Sequence, residues 1–394
     1  MGAAQEGETL GVTQNHHSAR LRSVRSFLGP GGKLVKFGKD PSDAFILVCQ
    51  DGVGWEDIYY LTGFVGTSGV VLITEDEATL FVDPRYSRSA RERSCCNVVC
   101  CEDVKRLSPL HAALDHLFLK KPSRVSYGGK RMRLSAYQYI EKALMDSGRP
   151  VELLDLSNLI SNMRRRKNKA EVELISEAAA IASKAFIETL PSAKVGMSER
   201  EFAGRLDCLI KAGGGDFMDQ VPIMVSSGER TSLPHALPTD KKFERGDLVM
   251  VDFSVRRAGY VCDITRMFSL GEPSDEAKSF YAVLQWAQSE AADLLKHRTS
   301  ASAVDAAARL VIDEAGVGDL FLHGIGHGIG LCVHEAPSLN ASSKAILSEG
   351  DVVTLEPGFY KPGWGGMRLE DDYLVGRDKP SKLSEALGSD LFAV

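Results

Sequence analysis

Two segments of this chain carry acidic residues inside otherwise apolar, strand-like runs, and each segment folds back on itself at a turn. The first, DLVMVDFSVRRAGYVCDITRMFSL (247–270), has β-type runs on both sides of Arg256-Arg257-Ala258-Gly259 and reads as a hairpin. A turn centred between Arg257 and Ala258 sets Asp252 directly opposite Asp263. Opposed residues hold their Cβ atoms about 4.5–5.5 Å apart, and two carboxylates at that range repel unless a cation lies between them. Taken alone, such a pair can also be two solvated surface charges. The second segment, VVTLEPGFYKPGWGGMRLEDDYLV (352–375), turns about Gly363 and sets Glu356 opposite Glu370. Both glutamates lie in strongly apolar strands, where an unpaired charge is expensive. Two hairpins that each present a facing acid pair are hard to explain as surface decoration.

Between them lies HGIGHGIGLCVHEAP (323–337), with His323, His327 and His334 in twelve residues. Its glycines let neighbouring backbones approach closely, so the histidines can project from adjacent strands. The pattern is not H-E-x-x-H, because His334-Glu335 is followed by Ala336-Pro337. Nor is it a phosphate loop, since no Lys-Ser/Thr follows. A core histidine is the alternative for any one of the three; as a group they read as functional. Four carboxylates and an imidazole form a mostly oxygen-donor set, suited to Mn²⁺, Co²⁺ or Zn²⁺. Two such ions about 3.5–4 Å apart can hold a bridging hydroxide as nucleophile.

At 394 residues the chain is long enough for two domains. Residues 1 to about 17 form a polar leader without the apolar core of a signal peptide. Residues 18–155 alternate strand-like stretches (43–51, 124–129, and a hairpin over 69–83) with helical ones such as 135–148, an α/β domain with nothing catalytic standing out. A composition shift follows. A long amphipathic helix is predicted over 162–190, then helices over 198–215 and near 274–296 and 302–315. A net charge of −6 without a basic, aromatic-interleaved stripe argues against nucleic acid, and Arg164-Arg165-Arg166-Lys167 reads as a solvated helix start. No apolar run approaches membrane-spanning length. The cluster CCNVVCC (95–101) lacks zinc-site spacing and reads as small buried residues of a reduced cytoplasmic protein.

The second half of the chain resembles the pita-bread metallopeptidases, the group of methionine aminopeptidase, aminopeptidase P and prolidase. The resemblance runs from about residue 160 to 376 and is carried by PHALP (234–238), VDFSV, YVCDITRMF, HGIGHGIGLCVHEAP, LEPGFY and GGMRLEDDYLV. It implies an α+β fold: an N-terminal α/β creatinase/prolidase-like domain (18–155), then a pita-bread catalytic domain (156–394). It implies two divalent ions per subunit, manganese foremost, with Asp252 on one, His327 and Glu356 on the other, and Asp263 and Glu370 bridging both. It further implies His235 and His334 as catalytic histidines, and His323 and Arg368 behind the ligands, where Arg368 orients the carboxylates.

The N-terminal domain and YYLTGFVGTSG (59–69) are similar to the proline-directed branch, which implies peptide substrates with proline at the second position and a homodimer. The resemblance implies an arginine directly after HE-x-P in dipeptide-restricted prolidases of similar length, which is Ser338 here, and a second arginine position in larger prolidases, which is Ser342. The expectation is therefore an Xaa-Pro aminopeptidase, with an Xaa-Pro dipeptidase as the alternative. A non-catalytic pita-bread binding module is the remote one.

Overall fold

The computed structural model describes residues 12–36, 40–216 and 222–394, which fall into two compact units, Val12–Arg164 and Arg165–Val394. The division lies later than the 155/156 boundary expected from sequence. The reason is the helix Ser157–Arg165: Arg164 pairs with Asp57 at 2.7 Å and Met163 O accepts from the Tyr60 hydroxyl at 3.0 Å, so most of this helix belongs to the first unit. The first helix, Gln14–Arg25, takes up the end of the expected leader; residues 1–11 lie outside the described residues.

The first unit is built on one mixed sheet. Its strands are β1 (Ala44–Gln50), β2 (Ser68–Thr74), β3 (Ala78–Val82), β4 (Asn97–Cys100), β5 (Arg124–Tyr127) and β6 (Glu152–Asp155), in the order β4-β3-β2-β1-β5-β6. The hairpin expected over 69–83 is β2–β3, closed where Thr74 N donates to Glu77 O. Helices Pro109–Leu119 and Leu134–Asp146 cover the apolar side chains of β1 and β2. Of the CCNVVCC cysteines, Cys100 and Cys101 are buried and Cys95 and Cys96 half-buried.

The second unit holds the acid-bearing hairpins. A four-stranded sheet runs β17 (Phe392–Ala393), β9 (Tyr260–Ser269), β8 (Leu248–Arg257), β7 (Met224–Ser227). A five-stranded sheet runs β11 (Glu335–Leu339), β10 (Gly326–Gly328), β12 (Val352–Leu355), β15 (Asp371–Leu374), β16 (Ser381–Lys382). A short ribbon, β13 (Gly358–Lys361) with β14 (Gly365–Arg368), continues the second hairpin. An isolated bridge between Thr265 and Glu370 ties β9 to that hairpin. Helices pack outside: Lys169–Thr189 lies over β8 and β9, with Phe186 stacked on Phe253 at 5.9 Å. Helices Asp275–Ala292 and Ala301–Glu314 present Ala287, Ala291 and Ala308 to Val353 and Leu355, small side chains that let them seat closely.

Two sequence expectations need correction. The helix expected over 162–190 is two helices, because Asn168 starts a new one. Its side chain accepts from Glu171 N (3.0 Å) while the Glu171 carboxylate accepts from Asn168 N (2.8 Å), a reciprocal cap that satisfies the first turn. The first hairpin turns at Ala258-Gly259, both at positive φ, one residue later than expected. Asp252 therefore faces Thr265, and Asp263 faces Ser254. The two aspartates are diagonal neighbours on one face, about 7–8 Å apart at the backbone instead of directly opposed. In the second hairpin, Leu355 pairs with Asp371 and Gly358 with Arg368, a register in which Glu356 and Glu370 are opposite positions.

The bridge between the hairpins rests on Arg266, which is fully buried. Its guanidinium donates to Thr265 O (2.9 Å), Glu370 O (2.7 Å), Leu387 O (2.9 Å), Gly388 O (2.8 Å) and the Asp371 carboxylate (2.6 Å). Replacing Arg266 with Met leaves Asp371 short of its strongest partner. The expected loss is about 3 kcal/mol, near the low end for a broken buried pair because Lys382 and Ser384 still touch Asp371. Denaturant unfolding of the second unit measures it, and a loss under about 1 kcal/mol contradicts the role given to Arg266.

Candidate metal centre and active site

The four acids and His327 come together because three pieces of β-structure converge. Asp252 on β8 and Asp263 on β9 project from one face of the first hairpin, and Glu356 and Glu370 stand at the ends of β12 and before β15. His327 sits in β10, whose glycines have no room for a side chain. A methyl group at Gly326 would lie 2.0 Å from Thr354 O, and one at Gly328 2.3 Å from Ala336 O. Only glycine lets β10 be squeezed between β11 and β12 with the imidazole turned toward the acids.

Ligand atoms of Asp263, His327 and Glu370 lie within 4.8 Å of one another. His327 Nε2 is 3.6 Å from Glu356 Oε1 and 4.0 Å from Asp263 Oδ2. Its Nδ1 lies 3.1 Å from Gly328 O, an acceptor, so Nδ1 carries the proton and the Nε2 lone pair faces two carboxylates. Burial lowers His327 to about 3, and the ring is neutral across the physiological range. A lone pair aimed at anions repels them unless a cation lies between, and this is the arrangement of a metal ligand.

The acids carry the same message. Burial, then the charges of Asp252, Asp372 and Glu356, push Asp263 well above the usual carboxylate range. Burial, then Asp263, Glu356 and Asp252, do the same to Glu370. Burial raises Glu356 to about 7, against the pull of Arg368. Oxygen donors that repel one another in a water-poor site, with a neutral imidazole among them, fit hard or borderline divalent cations.

Hydrogen bonds hold each acid in place. Ser254 Oγ donates to Asp263 at 2.8 Å, and Asp263 N donates to buried Asp372 at 3.0 Å. Arg368 is the hub: it donates to the Asp252 carboxylate, to Thr265 Oγ1 (3.0 Å), to the Tyr360 hydroxyl (2.8 Å) and to Pro234 O (3.1 Å). Because Nε of Arg368 can only donate, the Thr265 hydroxyl accepts from it and its own proton goes to Glu370 Oε2, at 2.7 Å. Tyr360 likewise accepts from Arg368 and donates to His323 Nε2 at 2.9 Å. The other His323 nitrogen is 2.9 Å from Gly324 O, and burial lowers this ring to about 4.

His334 is exposed as a residue, but its ring lies against His327 with centroids 4.2 Å apart. Partial burial and the charge of His235 lower its pKa. His235 is exposed on the PHALP loop, whose Pro234 carbonyl is held by Arg368. The structure thus brings all nine sequence-derived residues into one neighbourhood. Sequence reasoning missed Thr265, Ser254 and Tyr360. The first two follow from the hairpin register once the turn is placed at Ala258-Gly259; Tyr360 carries no pattern that marks it.

This architecture and site define a metallo-exopeptidase of pita-bread fold, in the proline-directed branch. The chain belongs to metallopeptidase family M24, which it matches over residues 173–377, and it matches the creatinase/prolidase N-terminal domain over residues 32–166. It is 32% identical over 357 residues to an Xaa-Pro dipeptidase of Pyrococcus furiosus, covering 90% of this chain and 97% of that one. Among solved structures it is similar to an X-Pro aminopeptidase from Thermotoga maritima (TM-score 0.83, 32% identity, 90% of this chain and 98% of that one). It is also similar to an Xaa-Pro dipeptidase from Bacillus anthracis (TM-score 0.84, 30% identity, 97% of this chain and all of the other). No helix among the described residues is long and apolar enough to cross a membrane.

Metal binding to these acids should release protons. At pH 6 the ion-free chain holds a proton on Glu356, raised to about 7, and burial with mutual repulsion pushes Asp263 and Glu370 in the same direction, whereas His327 is already neutral and contributes none. Affinity for Mn²⁺ should therefore rise between pH 6 and 7. Calorimetry in buffers of different ionisation enthalpy counts the protons, and binding heats that do not depend on the buffer contradict this account.

Proposed function

We propose that this chain is an Xaa-Pro dipeptidase that hydrolyses the bond preceding proline and carries two divalent ions per subunit, manganese foremost, with cobalt or zinc as substitutes. The observation that carries the reading is the convergence of the Asp263, Glu356 and Glu370 carboxylates on the His327 imidazole, with Asp252 on the same face of the first hairpin as Asp263, in a chain that matches an Xaa-Pro dipeptidase over nearly its whole length. Asp252 would hold one ion, His327 and Glu356 the other, and Asp263 and Glu370 both. Bound ions supply Lewis acidity and a water acidic enough to be a nucleophile at neutral pH.

The chain's own residues do the rest. Arg368 and Thr265 keep Asp252 and Glu370 oriented before any substrate arrives. His334 lies beside the His327 ring and would donate to the scissile carbonyl oxygen. Glu356 carries the proton to the leaving imino nitrogen, and His235, on its exposed loop, assists proton transfer and substrate binding.

A second reading, an Xaa-Pro aminopeptidase acting on longer peptides, draws on Ser338 and Ser342. Ser338, on β11, pairs with His327 on β10, at the position where dipeptide-restricted enzymes of similar length place an arginine for the substrate carboxylate, and Ser342 is tied to Asn340 at 2.9 Å. The similarity to the Thermotoga maritima aminopeptidase agrees with it. All eight cysteines are free, in keeping with a cytoplasmic setting, and the family resemblance adds a homodimer.

Hydrolysis of Xaa-Pro and Xaa-Pro-Yaa peptides, measured with Mn²⁺ and again after chelation, tests both readings. The dipeptidase reading expects the dipeptide to be cleaved in preference and the activity to vanish with the metal. Preference for the tripeptide selects the aminopeptidase; activity that survives chelation defeats both.

A further inference from the structure

The loop that carries His235 is held from outside the metal centre. It leaves the sheet at Ser227, the last residue of β7, passes through Pro234-His235-Ala236-Leu237-Pro238, and returns at Thr239. Both ends meet one carboxylate, that of Glu199, the first residue of the helix Glu199–Ala212. Glu199 is fully buried. Its Oε1 accepts from Ser227 N (2.9 Å) and Ser227 Oγ (3.0 Å), and its Oε2 from Thr239 N (2.9 Å) and Thr239 Oγ1 (2.8 Å). Arg230 Nε bridges the two oxygens at 3.2 and 3.3 Å, while its terminal nitrogen donates to Leu237 O at 2.8 Å.

The proton directions are determined. Lys241 Nζ donates to Ser227 Oγ (3.0 Å) and Lys241 N to Thr239 Oγ1 (3.2 Å), so each hydroxyl accepts from Lys241 and commits its own proton to Glu199. Every neighbour of this carboxylate is a donor, and only a side chain with acceptors on both oxygens satisfies them. A buried charge held by two backbone N–H groups, two hydroxyls and a guanidinium is an anchor that does not shift without losing several bonds together.

We propose that Glu199 is a positioning residue for hydrolysis, which clamps the two ends of the loop so that His235 stands at the metal centre before substrate binds. The inference rests on the role given to His235 above. The middle of the loop is fixed separately, by Pro234 O on Arg368 and by Gly366 N on Thr231 Oγ1 (2.8 Å), so Glu199 holds the loop's ends while Arg368 and the second hairpin hold its middle. The exposed side chains of Leu233 and Leu237 flank His235 in the sequence and move with it if the clamp is lost.

Glu199→Gln puts an amide donor where only acceptors fit. Hydrogen exchange in the metal-loaded protein should quicken across 228–239, while Mn²⁺ affinity stays unchanged because no candidate ligand is touched. Steady-state kcat/KM should fall about tenfold to a hundredfold, the scale of a displaced catalytic group. The deciding measurement is a double-mutant comparison. If Glu199 acts through His235, Glu199→Gln adds little further loss of kcat/KM to a His235→Ala chain; losses that multiply overturn the proposal, as does unchanged exchange in the loop. If Glu199→Gln does not fold, Thr239→Val removes one end of the clamp and takes its place in the same cycle. A His235→Ala chain with full activity overturns the role of His235, and the exchange measurement then still shows whether Glu199 holds the loop.

Discussion

Repulsion among buried carboxylates governs the second unit. Asp252, Asp263 and Glu370 are buried with half-buried Glu356 beside them, and burial together with their mutual charges pushes Asp263 and Glu370 well above the usual carboxylate range. A fold does not collect such groups without compensation, since each isolated buried charge costs several kcal/mol. Part of the compensation is built in. Arg368 neutralises Asp252, and Ser254 and Thr265 each spend a hydroxyl proton on one acid. The remainder is what divalent cations would supply, so metal binding and the stability of this region are one linked equilibrium.

The same constraint explains the surrounding architecture. Acids must be held close while they repel, so they are mounted on strands whose registers are fixed on both sides. The Thr265–Glu370 bridge joins the two hairpins, and Arg266 staples its carbonyls to the segment that follows β16. The glycines of β10 admit His327 into this frame by removing the side chains that would keep the backbones apart. Rigidity here serves chemistry, because ligands held in place need no rearrangement when charge develops on a substrate.

Much of the site was legible in the sequence because β-structure repeats every two residues and a hairpin is a reflection. Glu356 and Glu370 fell opposite each other from the position of Gly363 alone. Asp252 and Asp263 did not, since the Arg-Arg-Ala-Gly turn allows more than one centre and the positive φ of both Ala258 and Gly259 decided it. A shift of that centre by one residue moves every partner by two, which keeps the same face but changes the partners, and this is how Thr265 and Ser254 escaped notice. The break before Asn168 was hidden for a different reason: helical periodicity continues through it, and only the cap with Glu171 interrupts the chain. Contacts between segments distant in sequence, such as Glu199 with Thr239 or Arg368 with Pro234, leave no periodic trace.

The two ways of holding groups at this site differ in kind. The metal-facing acids sit on paired strands, where displacement of one ligand strains a whole ladder of hydrogen bonds. His235 sits on an exposed loop with no such ladder, and its position depends on bonds at the loop's ends and at Pro234. A substrate must enter and a product must leave, so at least one side of the centre has to be made of structure that can give. A buried carboxylate that binds both ends of that loop, with Arg368 on Pro234 O, limits how far it gives. On the role proposed for His235, that arrangement would let a proline ring enter while the same histidine is presented at every turnover.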